Sequence, residues 1–170
     1  YPRPYGAIVA AAEREERLPA HLVHAVMRQE SAFSPTVVSP AQAVGLLQLI
    51  PPTAEAVARE LAIEHDPTRL VLAPYNVRLG THYLRRLLDR FGDHPALAAA
   101  AYNAGPQALS RWLESGESLP LDVFVARIPY QETRGYVHRV LGNLTRYAYL
   151  AGGEAAVPVL ELSMPDRKST

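Results

Sequence analysis

Residues 76–92, NVRLGTHYLRRLLDRFG, space Gly80, Tyr83, Leu84, Leu87, Leu88 and Phe91 as i, i+3, i+4, i+7, i+8 and i+11. An α-helix turns every ~3.6 residues, so this spacing gathers the apolar groups into one stripe with the arginines outside it. A strand would throw the same residues to both faces. Pro74 suits the first turn and Gly92 the stop, so the stretch is an amphipathic helix. Working outward, the pattern predicts helices at about 4–17, 19–31, 53–63, 95–103, 106–115, 120–127 and 131–150. The first ends in the charged run Glu13 to Arg17, the second opens on Pro19, and Thr53 offers a cap to the third. The last places Tyr136, Val137, Val140, Leu141, Leu144, Tyr147 and Ala148 on one face and stops at Gly152-Gly153. Residues 32–52 are irregular, broken by Pro35, Pro40, Gly45, Pro51 and Pro52. The end of the chain holds a short alternating piece (Val157, Val159, Leu160, Leu162) and a polar terminus. The reading is one all-α domain over residues 1–153 with a C-terminal tail at 154–170.

The chain's 170 residues suffice for a substantial core, and 48% apolar with 20% charged residues is a globular balance. Seventeen Lys+Arg offset seventeen Asp+Glu, which supports neither a nucleic-acid stripe nor a polybasic membrane patch. No run of about eighteen apolar residues occurs, so no transmembrane segment is expected. The absence of Cys removes disulfides, thiolate zinc sites and cysteine nucleophiles together. The chain opens at Tyr1 rather than Met, so it is read as a processed or trimmed piece, and any export signal would lie outside it.

One residue departs from the helical pattern in a way that suggests chemistry. The second helix carries the stripe Leu22, Val23, Val26 and Met27, and the next position on that stripe is Glu30. A carboxyl on a core face is costly unless paired, and desolvation raises its pKa towards neutrality, where a general acid needs it. The plainer account is a frayed helix end from which Glu30 reaches solvent. The segment SPAQAVGLLQLI (39–50) is too apolar for a solvated loop. It either folds over a cleft with the Gln48 amide projecting in, or is a buried connector with Gln48 bonded to backbone. Residues 101–106, AYNAGP, make an ordinary helix stop, which leaves the hydrogen-bonding pair Tyr102-Asn103 after an alanine-rich run unexplained.

Other chemistries find no support. His21 and His24 lie three apart on one helix without a third ligand at metal spacing, and are read as surface or packing residues. No GxSxG, Walker loop or GxGxxG is present. Trp112 could stack on a sugar, although a lone Trp more often belongs to a core.

Taken in order, Glu30-Ser31, Ser39-Pro40 with GLLQLIP (45–51), AYNAGP (101–106) and IPYQETRGYV (128–137) resemble the soluble lytic transglycosylase family. These are the goose-lysozyme-like glycosidases of bacterial peptidoglycan, and the likeness covers about residues 4–150. The resemblance implies a lysozyme-like (goose-type) helical domain with a substrate cleft. It makes Glu30 the catalytic acid and sets Tyr102 close to the reacting centre. Ser39, Gln48, Ile50 and Asn103 fall on substrate-binding positions. Glu132 is similar to a residue that meets the stem peptide or an adjacent sugar. It implies no metal and no cofactor, peptidoglycan glycan strands as the partner, and a periplasmic or cell-envelope location, with further domains or cell-wall machinery beyond this chain. Three departures stand out: Leu47 and Ile50 replace methionines, and Gln42 replaces a frequent glycine. The large helical N-terminal region of many family members is absent.

The implied reaction needs a single carboxylate. Glu30 acts first as acid and then as base on the bond between N-acetylmuramic acid and N-acetylglucosamine, the substrate's acetamido group assists, and a 1,6-anhydromuramoyl end results. Two alternatives stay open. A goose-type lysozyme would pass the sugar to water, and a non-catalytic module would bind peptidoglycan without cutting it.

Overall fold

A computed structural model gives the fold and describes residues 1–114, 119–160 and 163. Among the described residues there are eight α-helices, two short 3₁₀ turns and no strand beyond isolated bridges. The chain divides into two compact units, residues 1–85 and 86–170.

In the first unit, α1 (Gly6–Glu15), α2 (Leu22–Ser31) and α3 (Pro51–Glu60) precede a 3₁₀ turn at Pro67–Val71 and then α4 (Ala73–Arg90), which carries the chain onward. Leu49, Ala54, Val57, Ala58, Leu70, Tyr75 and Leu79 form one core, with Val44, Leu61, Ile63 and Tyr83 packed on it. The expected stripe is buried at Gly80, Leu84, Leu87 and Leu88 of α4 and at Phe91 just past its end, and only Tyr83 stays partly exposed.

α2 is buried nearly all round from Leu22 to Met27, and three contacts anchor it. At its start, the Glu13 carboxylate of α1 accepts the Val23 N–H at 3.2 Å, doing the work of an N-cap from another helix. Along its side, His24 Nε2 meets the Pro4 carbonyl at 3.1 Å, which gives this histidine a packing role. At its end, Ser31 Oγ donates to Leu46 O at 2.9 Å, so the helix is tied to the following loop.

Several predicted boundaries shift. α2 begins at Leu22 rather than Pro19, because His21 sits at φ 71 and only a single turn, Leu22 N–H to Pro19 O, spans the gap. α3 begins at Pro51 rather than at a Thr53 cap, since two prolines with preset φ and no N–H fill a first turn whose donors would be orphaned anyway. It also ends early, at Glu60, where Ala62 turns left-handed at φ 52.

In the second unit, α5 (Pro95–Ala104), α6 (Pro106–Glu114), α7 (Leu121–Arg127) and α8 (Gln131–Gly152) follow closely on the predicted spans. Ala96 to Ala101 are fully buried, which suits α5 as a central helix whose small side chains let α6 and α8 approach. α8 buries Tyr136, Val137, Val140, Leu144, Tyr147 and Ala148, the predicted face with Leu141 left half-exposed. A 3₁₀ turn at Glu154–Ala156 follows Gly153. Ser115, placed in the sixth predicted helix, and Leu162 of the alternating piece lie outside the described residues, as does the tail from 164 to 170.

Candidate functional site

In the first unit, Glu30 occupies the last turn of α2, half-buried. The helix ends beside it, and Ala32 and Phe33 turn left-handed at φ 48 and 71. Ser31 holds this corner. Its hydroxyl lies 2.9 Å from Leu46 O and 3.2 Å from Met27 O, and it accepts the Phe33 N–H at 3.1 Å. The backbone next to Glu30 is thus fixed to the loop that follows.

That loop is folded on itself. Val44 and Leu49 exchange both backbone bonds, at 3.0 and 3.1 Å, and Gly45 N–H reaches Val37 O at 3.0 Å. Ser39 closes the outer turn: its hydroxyl accepts the Ala43 N–H at 3.0 Å and its backbone N–H reaches Ala43 O at 2.9 Å. Gln42, at the tip, takes φ 62, a left-handed backbone better suited to the glycine it replaces. Gln48 sends its Nε2 to Val37 O at 3.1 Å and Gly45 O at 2.9 Å. Two carbonyl acceptors determine which end of the amide is nitrogen, so the Gln48 Oε1 is the end left for another donor. Of the two readings of Gln48, backbone bonding holds for its nitrogen, while the side chain remains half-exposed. Ile50 is 41% exposed where the chain enters α3.

A residue that sequence reasoning passed over secures the loop. Asn76 of α4, fully buried, accepts the Leu47 N–H at 2.8 Å and donates to Val44 O at 3.0 Å and Leu70 O at 2.9 Å. Gly45, at φ 82, lies so close that a methyl group there would collide with the Asn76 amide and the Leu70 carbonyl. A methyl group on Gly80 would strike Leu47. The signal for Asn76 was available: it lies four residues before Gly80 on the same stripe, a polar group where a hydrophobe belongs.

Electrostatics around α2 follow from burial. Desolvation pushes the Glu13 carboxyl up from its ordinary value, against the bonds it accepts from the Val23 and His21 backbone. His24 is pushed down, first by burial, with Arg3 adding to it, while its bond to Pro4 works the other way.

In the second unit, Tyr102 and Asn103 stand in the last turn of α5, both half-buried. Asn103 Oδ1 accepts from the buried Thr133 hydroxyl at 2.7 Å, and its Nδ2 reaches Glu132 Oε1 at 3.5 Å. The Asn103 amide is thus fixed by Thr133 and lies at the edge of hydrogen-bonding reach of Glu132, which is exposed at the first turn of α8. Thr133 too escaped the sequence reading. Trp112 of α6 is half-buried rather than central to a core, with its ring edge-to-face with Tyr130 at 5.1 Å. The structure thus brings Glu30, Ser39 and Gln48 into one loop-and-helix assembly in the first unit, and Asn103 and Glu132 together in the second.

Among the described residues no group of three His, Cys, Asp or Glu could hold a metal ion, and no helix is long and apolar enough to cross a membrane.

Comparison with known proteins gives these positions a context. A family model described as the transglycosylase SLT domain matches residues 7–124, and one described as the soluble lytic transglycosylase helical domain matches 127–155. The soluble lytic murein transglycosylase of Escherichia coli K12 is 36% identical over 155 residues, covering 89% of this chain and 24% of that protein. The crystal structure of the 70 kDa soluble lytic transglycosylase of Escherichia coli superposes with a TM-score of 0.88 at 33% identity, over 94% of this chain and 26% of that one. An inactive mutant of the lytic transglycosylase Slt from Pseudomonas aeruginosa gives 0.89 at 33% identity, over 98% and 27%. The chain spans about a quarter of the length of these relatives.

Proposed function

This chain belongs to the transglycosylase SLT domain family, with its all-α, lysozyme-like fold, and from that premise we propose that it is a peptidoglycan lytic transglycosylase. The observation that carries the reading is Glu30, a half-buried carboxyl in the final turn of an apolar helix whose end Ser31 locks in place. A general acid needs a carboxyl set partly out of water at the end of a helix, where the dipole does not favour an anion, and Glu30 has that placement.

The steps balance around that proton. Glu30 gives it to the glycosidic oxygen between N-acetylmuramic acid and N-acetylglucosamine as the C1–O bond breaks. The muramoyl sugar's own acetamido oxygen bonds to C1 and takes up the developing positive charge, so no second protein carboxylate is needed. Glu30, now a carboxylate, removes the C6 hydroxyl proton, and O6 displaces the acetamido oxygen from C1. The result is a 1,6-anhydromuramoyl end, with Glu30 reprotonated and no water consumed.

Tyr102 supports the acetamido group or the charge on it through its hydroxyl. Ser39, Gln48, Ile50 and Asn103 bind the glycan, with the Gln48 Oε1 as an acceptor for a sugar hydroxyl or amide. Glu132, beside Asn103, meets the stem peptide or a neighbouring sugar. Residues 1–153 form the catalytic domain and 154–170 a tail. The chemistry calls for no metal or cofactor. The partner is the peptidoglycan glycan strand, met in the periplasm or cell envelope, with further domains or wall machinery alongside.

Mass spectrometry of sacculi digested with the protein tests the reading. Anhydromuramoyl ends are expected. Reducing ends would make it a lysozyme-type hydrolase, and pelleting with sacculi without solubilising them would make it a binding module.

A further inference from the structure

Tyr130 is 55% exposed, yet both its ring and the backbone before it are braced by neighbours. It sits on the short connector between α7 and α8, preceded by the fully buried Ile128 and by Pro129, whose ring fixes φ. Arg134 reaches back from α8 to donate to the carbonyls of both Ile128 and Pro129, which stiffens the connector from below. The Trp112 ring meets Tyr130 edge-to-face at 5.1 Å and 87°. The next two residues, Gln131 and Glu132, open onto a shallow groove of about 820 Å³ that continues past Gly135 to His138.

Folding gains little from clamping a ring that keeps most of its surface in water, since the apolar burial is small. Binding gains more. A preorganised aromatic platform has already lost the freedom that a ligand would otherwise have to take from it. Its flat face suits the C–H face of a pyranose, and the amide and carboxylate beside it suit hydroxyl and acetamido groups.

We propose that Tyr130, braced by Trp112 and Arg134, is the stacking platform of a sugar-binding subsite that takes the pyranose ring of an N-acetylated glycan, with Gln131 and Glu132 as its hydrogen-bonding edge. The inference rests on the proposed glycan substrate and adds a binding position to it.

Trp112 is the sole tryptophan of the chain and lies against Tyr130, so its fluorescence reports on the platform. The probe is the N-acetylglucosamine tetramer, which carries no stem peptide, titrated into the 170-residue chain by calorimetry and by Trp112 emission. The expected result is saturable binding with a shift in Trp112 emission. Tyr130→Ala should bind about tenfold more weakly, and Tyr130→Phe within about twofold of wild type. Tyr130→Leu, which keeps an apolar group on Trp112 but no flat ring, should behave like Tyr130→Ala and guards against a folding artefact. Unchanged affinity in Tyr130→Ala and Tyr130→Leu, or calorimetric binding without any change in Trp112 emission, overturns the subsite. A tetramer that fails to bind even wild type overturns it as well. Whether the proposed function falls too is read separately, from anhydro ends released from sacculi.

Discussion

Glu30→Gln keeps the shape of the side chain and its ability to donate a hydrogen bond, but it cannot move a proton in either direction. On the proposed mechanism one residue serves as acid and then as base, so both halves of the reaction should stop together. Each proton transfer is worth roughly 10²–10⁴-fold, so release of soluble muropeptides should fall below detection while the variant still pellets with sacculi. Release at about a tenth of the wild-type rate would sink the single-glutamate mechanism. The same proton governs pH dependence. On the proposed mechanism the reactive form is the neutral acid, so cleavage should decline in alkali, and a rate still rising towards about pH 9 would contradict the assignment. Tyr102→Phe tests the role proposed for its hydroxyl, and kcat on purified murein should then drop by roughly one to three decades with the fold intact. At this scale the sequence was legible wherever a polar residue broke an apolar pattern, as Glu30 does on α2. Asn76 breaks the α4 stripe in the same way, but a stripe counted from Gly80 onward stops one turn short of it. Gln48 could not be decided from sequence. Both of its readings predict a polar group in an apolar loop, and only the carbonyls of Val37 and Gly45, brought close by the turn, settle where its nitrogen points.

The helix that carries Glu30 depends on a cap it does not itself supply. Glu13→Ala removes the acceptor for the Val23 N–H and should cost about 1–2 kcal/mol, as loss of a cap does, lowering the unfolding midpoint by a few degrees. The sign of the pH effect follows from burial. The folded carboxyl holds its proton above its ordinary value, so the native chain binds more protons than the unfolded one just above that value. Glu13's contribution is therefore fully present at lower pH and declines as pH rises through the folded pKa. Glu13→Gln should flatten that slope in denaturant titrations across the acid-to-neutral range, and an unaltered slope would refute the account. Elements were read more easily than their ends. The α4 and α8 stripes stand in the structure almost as written, because one apolar face per helix is enough to specify them. The start of α2 was misplaced, because Pro19 suits a first turn in isolation while the left-handed backbone at Arg17 and His21 postpones the helix to Leu22. Glu13 was read only as part of a charged run at the end of the first helix. Nothing local marks which member of such a run will turn inward to cap a neighbouring helix.

For the molecule as a whole, seventeen basic against seventeen acidic residues give no support to a charge-driven grip on polyanions, and the all-α reading needed no more than periodicity. If residues 154–170 are a tail, a chain ended after Leu160 should keep the midpoint of the full chain within about 2 °C and its rate on murein, since chain ends that are not docked tolerate removal. A larger loss would extend the domain. The loop clasped by Ser31 and Asn76 has a consequence in the time domain. The amide protons of Val44, Leu47 and Leu49 point into hydrogen bonds, the Leu47 proton at a buried side chain, so deuterium can replace them only when the clasp opens. An exchange map should show a slow island at these three amides, as slow as the centres of α2 and α4, although no helix or sheet contains them. Asn76→Leu should make that island exchange quickly while α8 keeps its protection. A segment that seldom breathes would meet the proposed glycan already in final form, so the time between encounter and reaction would not be used in reshaping it.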